Sequence, residues 1–209
     1  MNDSSRYKTG GERITSVSGI VLAGGKSVRM GGINKALLDV GGTLVLEQIV
    51  ALLDKIFEEV ILVTNSPEDF EFLNKPMFPD LRVGKGSLGG LWTGLYHCHS
   101  EYGFLVACDM PFLNEQIIRL LVSLAKDTDI VIPEIRGHFE PLHAIYSIRC
   151  LSPIKELIDE ADLKIISLFP HVNVLPVPES EFTVFDPELR FVMNLNTPED
   201  LEKARKLAR

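Results

Sequence analysis

The sequence predicts an α/β protein, in which a single domain contains a mostly parallel sheet with helices on both faces. Two observations lead to this prediction. Apolar runs typical of buried strands alternate with segments of helical periodicity along nearly the whole chain. The 209 residues also suit one such domain with a core large enough to fold alone. Ligands of these sheets bind beyond the carboxyl ends of the strands, so the residues that follow each strand are the first candidates for a site.

The elements are predicted in order from their apolar patterns. Strands are expected at 18–23, 59–64, 103–108, 129–133, 141–147 and 172–176, and helices at 43–57, 88–100, 114–126, 152–160 and from 197 onward. Thr43 and Asn114 are the expected N-caps of two helices, and Thr197 forms a capping box with Asp200 in the last one. The segments 134–137 and 176–187 are expected to be irregular.

Composition limits the domain organisation and the function. Residues 1–15 are polar and are expected to form a disordered tail, which leaves 16–209 as the domain. The net charge of −8 argues against a nucleic-acid partner, and no apolar run approaches the ~20 residues that a membrane span needs. Three widely spaced cysteines, Cys98, Cys108 and Cys150, are expected to be reduced thiols in a cytoplasmic protein.

A glycine-rich loop, residues 22–35, follows the first predicted strand. It contains glycines at positions 24, 25, 31 and 32 and the cations Lys26, Arg29 and Lys35. Glycine lets backbone N–H groups approach a ligand closely, and three cations can neutralise a triphosphate and its leaving pyrophosphate. The loop therefore predicts a nucleoside triphosphate site rather than a plain surface turn.

Two better-known phosphate motifs are present only in part. Gly25-Lys26-Ser27 resembles the end of a P-loop, but the required first glycine would be position 20, which is Ile20. Gly84-Lys-Gly-Ser-Leu-Gly89 has the spacing of a dinucleotide fingerprint, but the segment before it contains Pro79, Asp80 and Arg82 and is a poor buried strand. Neither motif is expected to carry the function.

Two acidic residues lie where a metal could be held. Asp109 directly follows the strand predicted at 103–108. Asp80 occupies a similar position after the short run 76–79. Mg²⁺ is usually held by one or two carboxylates together with phosphate oxygens and waters. Asp109 is therefore the candidate Mg²⁺ ligand, with capping of the turn before Pro111 as an equal alternative on this position alone. For Asp80, a solvated loop acid is the favoured interpretation without further evidence.

Four segments together resemble the molybdenum cofactor guanylyltransferases. They are Leu22-Ala-Gly-Gly-Lys-Ser-Val-Arg-Met-Gly-Gly-Ile-Asn-Lys-Ala36, Gly86-Ser-Leu-Gly-Gly90, Cys108-Asp-Met-Pro-Phe112 and Phe191-Val-Met-Asn-Leu-Asn-Thr-Pro-Glu-Asp-Leu201. The resemblance implies a Rossmann-like sheet of the nucleotide-diphospho-sugar transferase type. It also implies transfer of GMP from GTP to molybdopterin carrying molybdenum, with pyrophosphate released, and transient contact with proteins that donate or accept the cofactor.

The resemblance also assigns roles to individual residues. It places Arg29, Lys35 and Asp109 in catalysis, with Asp109 on Mg²⁺ and both cations on phosphates. The implied nucleotide contacts are Leu22, Ala23, Gly24, Gly25, Lys35, Asn65, Asp80 and Asp109, of which Asp80 would lie near the base or ribose. The implied substrate contacts are Gly86, Gly89, Gly90, Asn194 and Asn196. The family's usual proline after the first of these glycines is absent, since Ser87 stands there.

Alternative functions remain open at this stage. The chain could use CTP or another nucleotide on a different phosphorylated acceptor, although Gly24, where cytidylyltransferases usually have alanine, favours guanine by resemblance. It could also be a nucleotide-binding regulatory module without catalysis, which would not need a metal carboxylate. His138 and His143 flank Glu140-Pro141 and could line the pterin pocket, but a hydrogen-bonded strand histidine is the commoner outcome.

Overall fold

The computed structural model describes residues 11–24 and 35–208. The β-strands are β1 (Val17–Leu22), β2 (Asp39–Val40), β3 (Thr43–Leu44), β4 (Val60–Val63), β5 (Met77–Phe78), β6 (Tyr102–Ala107), β7 (Ile130–Ile135), β8 (His138–Phe139), β9 (His143–Ser147) and β10 (Val174–Pro178). Eight strands form one sheet in the order β10-β7-β9-β6-β1-β4-β5, with β8 paired to β7, while β2 and β3 form a separate hairpin. Only β8 and β9 run antiparallel to their neighbours in the large sheet, which confirms the mostly parallel sheet.

Among the described residues, five α-helices cover the sheet. They are α1 (Val45–Ile56), α2 (Gly86–His97), α3 (Glu115–Ser123), α4 (Leu151–Asp159) and α5 (Pro198–Leu207). The buried faces of α1, α3 and α5 belong to one hydrophobic cluster, and those of α2 and α4 belong to a second cluster on the other side. The expected placement of helices on both faces is therefore confirmed.

Helix α1 shows why its predicted start was wrong by two residues. Thr43 is not the N-cap, because it pairs with Val40 in the β2–β3 hairpin and its carbonyl accepts a hydrogen bond from Gln48 Nε2 at 3.0 Å. The cap position is Leu44, which has no side-chain acceptor. The other two predicted caps are confirmed, because Asn114 accepts from Gln116 N and Ile117 N, and Thr197 forms its capping box with Asp200.

Two segments expected to be irregular are partly regular. Residues 134–137 contain the end of β7 and a tight turn at Arg136 and Gly137, both with positive φ, which leads into β8. Strand β10 runs through Pro176 to Pro178 at the edge of the sheet. An edge strand needs hydrogen bonds on one side only, so its prolines are tolerated there.

The described chain makes regular backbone hydrogen bonds before residue 16. Ile14 forms a parallel bridge with Phe57, in which Ile14 N donates to Ile56 O at 2.8 Å and Glu58 N donates to Ile14 O at 3.0 Å. Residues 1–10 of the predicted tail lie outside the described residues. Across 11–24 and 35–208, none of the helices is long and apolar enough to cross a membrane.

Candidate active site

The carboxyl ends of three neighbouring parallel strands define the candidate site. Leu22 at the end of β1 is in register with Val63 of β4 on one side and with Ala107 of β6 on the other. The pairing continues one residue further, because Ala23 N donates to Val63 O at 3.0 Å and Cys108 N donates to Leu22 O at 3.2 Å. Gly24 is thus the first residue of the glycine-rich loop beyond the sheet. The residues that follow β1, β4 and β6 meet at one edge, as the sequence predicts.

Lys35 joins three of the four segments that resemble the family. Its Nζ donates to Asp109 Oδ2 at 3.1 Å and to Asn196 Oδ1 at 2.7 Å. The Lys35 and Asp109 side chains are only 17% and 16% exposed. Leu195 N also donates to Asp109 O at 2.9 Å, which binds the segment before α5 to the residue after β6. A loop end, a strand end and a helix start thus converge on one ammonium group.

The capping box of α5 holds Asn196 in this position. Asp200 Oδ2 accepts hydrogen bonds from Asn196 N at 3.1 Å and from Thr197 N at 2.9 Å, and Thr197 Oγ1 accepts one from Asp200 N at 3.2 Å. Desolvation acts to raise the pKa of Asp200, but these hydrogen bonds outweigh it and leave the pKa below its ordinary value. The sequence identified Asp200 only as a cap, whereas the structure also connects it to Asn196.

The oxygen atoms around Lys35 are also the kind that magnesium prefers. Asp109 Oδ2 and Asn196 Oδ1 both point at one cation, here the ammonium of Lys35. Within 11–24 and 35–208, no group of three or more His, Cys, Asp or Glu side chains could form a complete metal cage. Mg²⁺ commonly takes one or two protein oxygens and completes its shell with phosphate oxygens and waters, so this donor set fits Mg²⁺ bound together with a nucleotide.

Asn65 and Asp80 form a second polar pair at the same edge of the sheet. Asn65 Nδ2 donates to Asp80 Oδ2 at 2.8 Å, and Asp80 N donates to Asn65 Oδ1 at 2.9 Å. Asn65 follows β4 and Asp80 follows β5, which are adjacent parallel strands. The sequence named both residues as nucleotide contacts, but it did not predict that they contact each other.

The glycines at the start of α2 allow this helix to pack closely. A Cβ at Gly90 would lie 3.0 Å from Leu22 Cδ2, and one at Gly89 would lie 2.7 Å from Lys85 Cβ. Gly86 has a φ of +58°, which favours glycine. The contact of Gly90 with Leu22 places the N-terminus of α2 beside the end of β1. Since β5 ends at Phe78, well before Gly84, the motif at 84–89 lacks the direct strand–turn–helix context of a dinucleotide fingerprint.

The remaining predicted site residues are less closely connected. Asn194 turns into its own loop, where its Nδ2 donates to Val192 O at 3.0 Å, and no hydrogen bond joins it to Lys35 or Asp109 in the described chain. Gly25 and Arg29 lie outside the described residues, so their predicted contacts stay predictions.

His143 differs from a hydrogen-bonded strand histidine. It is fully buried, with its ring centroid 5.0 Å from those of Phe104 and Phe191, and neither ring nitrogen has a hydrogen-bond partner among the described residues. Burial lowers the pKa of His143 to about 3, so the ring is neutral at physiological pH. His138 is exposed in β8. His143 is therefore a core residue beside Phe191, and no sequence pattern indicates that its nitrogens would lack partners.

An open depression of about 560 Å³ lies at the opposite, amino edge of the sheet. Its central polar residues, Asp129 and Arg149, already pair with each other at 2.6 Å, and Asp129 also accepts from Asn173 N at 2.9 Å. We place the chemistry at Lys35 and Asp109 instead, because the predicted phosphate, metal and substrate residues meet there. The depression is explained by a structural ion pair at a strand start.

Comparison with known proteins shows which proteins this chain resembles. Residues 19–171 match the family model described as "MobA-like NTP transferase domain". A probable molybdenum cofactor guanylyltransferase of Natranaerobius thermophilus is 39% identical over 197 residues, which cover 91% of this chain and 96% of that relative. A molybdenum cofactor guanylyltransferase of Desulfosudis oleivorans is 35% identical over 190 residues, covering 90% and 94% of the two chains.

A solved structure has the same fold. The crystal structure of molybdopterin-guanine dinucleotide biosynthesis protein A from Archaeoglobus fulgidus superposes with a TM-score of 0.79 and 26% identity, covering 91% of this chain and 97% of that one. The similarity extends over nearly the whole of both chains.

Proposed function

This chain belongs to the MobA-like NTP transferase domain family of nucleotidyltransferases, and we propose that it transfers GMP from GTP to molybdopterin carrying molybdenum, with release of pyrophosphate. The product would be a molybdopterin guanine dinucleotide. Relatives named as molybdenum cofactor guanylyltransferases match it over most of both chains, which supports this substrate pair.

One structural observation supports this proposal more than any other. Lys35 Nζ contacts Asp109 and Asn196 at once, so a cation from the glycine-rich loop lies beside a carboxylate and a C-terminal amide. A regulatory module that only binds a nucleotide would not need a half-buried carboxylate beside its phosphate-binding lysine. The arrangement suits an enzyme that must hold a triphosphate and an acceptor phosphate together.

The proposed reaction is a direct in-line displacement. A phosphate oxygen of molybdopterin attacks the α-phosphorus of GTP, a new P–O bond forms, and the bond to the β-phosphate oxygen breaks as pyrophosphate leaves. No protein nucleophile is required, and the nearest thiol is unsuited to the task because burial, reinforced by the charge of Asp109, raises the pKa of Cys108 to about 12. The protein acts by positioning the reactants and stabilising charge.

Lys35 and Asp109 would have different electrostatic roles in this reaction. Lys35 would move its ammonium from Asp109 onto phosphate oxygens and stabilise the charge that develops on the leaving pyrophosphate. Asp109, with Asn196 nearby, would hold Mg²⁺, which supplies neutralising charge at the α-phosphate. Arg29 would add a second cation from the same loop, and Asn194 would act on the acceptor side.

The pair of Asn65 and Asp80 would contact the guanosine end of GTP. Guanine presents two adjacent donors, N1–H and the 2-amino group, and a carboxylate is the natural acceptor for them. Asp80 Oδ2 already accepts from Asn65 Nδ2 at 2.8 Å, which restricts the rotation of the carboxylate. Leu22, Ala23, Gly24 and Gly25 would complete this side through backbone groups, and the glycines of α2 would shape the neighbouring wall.

The proposal includes a cellular setting. Cys98, Cys108 and Cys150 are all free, as expected for a protein that works in the reducing cytoplasm. Molybdopterin is passed between proteins in this scheme, so the enzyme would make transient contacts with a donor and with an acceptor of the cofactor. With a net charge of −8, polynucleotides are not proposed as partners.

A pyrophosphate-release assay tests the proposal. The full chain is incubated with Mg²⁺, molybdenum-loaded molybdopterin and each of GTP, CTP, ATP and UTP, and the pterin product is identified by mass spectrometry. We expect release with GTP and a mass gain equal to GMP. Release with CTP alone would show a cytidylyltransferase, and tight nucleotide binding without release from any nucleotide would indicate a regulatory module.

A further inference from the structure

The hydroxyl of Thr93 connects helix α2 to the loop that carries Asp80. Thr93 is fully buried within α2. Its Oγ1 donates to Gly89 O at 2.9 Å, one turn earlier in the helix, and accepts from Leu81 N at 3.1 Å. Leu81 directly follows Asp80, so this second bond reaches out of the helix to the loop after β5.

Asp80 is consequently fixed on both sides. Its own amide donates to Asn65 Oδ1 at 2.9 Å, and the next amide, that of Leu81, donates to Thr93. Its Oδ2 accepts from Asn65 Nδ2 at 2.8 Å. With both flanking peptide groups and one carboxylate oxygen held, the direction of the other oxygen, Oδ1, is fixed as well. Within the described chain, Oδ1 makes no hydrogen bond.

The loop also rests directly on α2. A Cβ at Gly89 would lie 3.4 Å from Arg82 O, so the absence of a side chain lets the loop backbone approach the helix. The Arg82 guanidinium lies over the Trp92 ring at 5.8 Å from its centroid. The segment that follows Asp80 therefore packs on one surface of α2, formed by Gly89, Trp92 and Thr93.

Packing alone does not account for a threonine here. Buried threonines often bond back to the carbonyl one turn earlier, and a valine of the same shape would fill the space without that bond. A valine, however, would leave the Leu81 N–H of this half-buried hydrogen bond without its acceptor, which destabilises that conformation of the loop. The hydroxyl is specifically what holds the peptide after Asp80.

We propose that Thr93 is a positioning residue that determines base selectivity, because it orients the carboxylate of Asp80 toward the donor edge of guanine. This inference rests on the proposed function, in which Asp80 faces the base. Guanine and hypoxanthine both present N1–H, but only guanine carries the 2-amino group. A fixed acceptor can distinguish the two bases, whereas a mobile one can turn to bind either.

Thr93→Val, Thr93→Ser and Thr128→Val test the proposal. Valine keeps the shape and removes the hydroxyl, serine restores the hydroxyl, and Thr128 is a buried control whose hydroxyl bonds Asn173 O at 2.9 Å at the opposite edge of the sheet. The Kd values of GTP and ITP are measured by calorimetry with Mg²⁺ and no acceptor. The kcat and KM for both nucleotides, and hydrogen exchange at the Leu81 amide, are measured alongside.

We expect Thr93→Val to bind GTP about tenfold more weakly, as for the loss of one buried hydrogen bond, with little change for ITP and a kcat close to that of the original protein. Exchange at Leu81 should accelerate. Thr93→Ser should restore the preference for GTP, and Thr128→Val should keep it.

A folded Thr93→Val protein that keeps the original ratio of GTP to ITP affinity would overturn the inference, and so would an original protein that binds ITP as tightly as GTP. If the original protein prefers GTP in binding but transfers no GMP, the proposed function fails, while the Thr93 assignment is still decided by the binding ratio. The two failures are thus distinguishable.

Discussion

Lys35 Nζ lies 3.1 Å from Asp109 Oδ2, although the two residues are 74 positions apart in the sequence. The ammonium also contacts Asn196 Oδ1 at 2.7 Å, so the two oxygens best placed to hold a divalent cation both accept hydrogen bonds from one lysine. Because nearby charges of the same sign repel, Lys35 and a divalent cation should compete for Asp109 until a nucleotide offers its phosphates to the lysine.

Lys35→Met should therefore have opposite effects on metal binding and on turnover. Without the ammonium, the free protein should bind Mn²⁺, used as a paramagnetic substitute for Mg²⁺, more tightly, because the charge beside Asp109 becomes more negative. GMP transfer should fall because the phosphate-binding cation is lost. Electron paramagnetic resonance measures the free Mn²⁺, and Lys75→Met, which breaks the distant 2.6 Å pair with Asp54, is the matched control. Unchanged Mn²⁺ affinity in Lys35→Met would show that the ammonium does not compete for this carboxylate.

Asp109→Ala should abolish turnover and leave the fold intact. The carboxylate is the only proposed charged metal ligand among the described residues, and losses of at least about 100-fold are typical when one charge-stabilising group is removed. Asp109 lies after the end of β6, and the buried side chains of that strand are apolar. The packing of β6 therefore does not depend on the Asp109 carboxylate. Pyrophosphate release is measured together with circular dichroism, and Asp54→Asn serves as the control. Full GTP-dependent activity in the Asp109 variant would refute the metal assignment.

Asp200→Ala should lower kcat more than its stability loss explains. Removal of the capping carboxylate costs about 1 kcal/mol of stability, as for other helix caps. It also frees the amide of Asn196, and a misplacement of about 1 Å in a catalytic group can cost a factor of about 100 in rate. Asp200→Asn keeps one acceptor oxygen, so its kcat should lie between those of Asp200→Ala and the original protein.

The control for that experiment is Glu199→Ala, which changes an exposed acid of the same first turn. Both kcat and the urea midpoint are measured for each variant at a temperature where all are folded. Equal kcat values in Asp200→Ala and Glu199→Ala would mean that the cap stabilises α5 without positioning Asn196.

Local patterns predicted the fold well where each element buries an apolar face. Strands β1, β4 and β6 are apolar because parallel strands with helices on both sides are buried twice, and their bounds were predicted to within one residue. The order of strands and the reversal of β9 depend on which faces meet after collapse, and no local pattern contains that information. The two-residue strands β2, β3, β5 and β8 are too short to leave a periodic signal.

The site was predicted as a set of residues but not as a set of contacts. Lys35, Asp109 and Asn196 were named from motifs that resemble a family, yet their separation in the sequence hides the fact that they share one ammonium group. Thr93 could not be found at all, because a threonine inside an apolar helix looks like any packing residue. His143 was expected to be either a pocket residue or a hydrogen-bonded one, and the structure makes it neither.

His143 should make the protein less stable as the pH falls below neutrality. Burial lowers its pKa from 6.5 to about 3, so between these values the unfolded chain binds a proton and the folded protein does not. Its contribution to the free energy of unfolding therefore falls by at most about 1.4 kcal/mol for each pH unit. His143→Leu removes the titrating group and the unpartnered nitrogens from an apolar site, so it should flatten this dependence. Urea unfolding between pH 7.5 and 5.5 measures it, with exposed His138→Leu as the control; equal slopes for His143→Leu and the original protein would contradict the assignment.

Ile20 packs closely against Gly103, so substitutions at these two positions should have non-additive effects on the free energy of unfolding. A Cβ at Gly103 would lie 2.3 Å from Ile20 Cδ1, nearer than packed carbon atoms can come. Gly103→Ala should thus cost about 1–3 kcal/mol through overpacking, and Ile20→Val alone about 1 kcal/mol through a small cavity. In the double variant, valine lacks the δ-methyl that the new methyl would meet. We therefore expect it to be at least about 1 kcal/mol more stable than the sum of the single effects predicts. The control pair is Gly103→Ala with Ile61→Val, because Ile61 is a buried strand residue that is not among the nearest neighbours of Gly103. Urea unfolding gives the free energy of unfolding of each variant. Additive losses in both pairs would mean that Gly103 is required for a reason other than the side chain of Ile20.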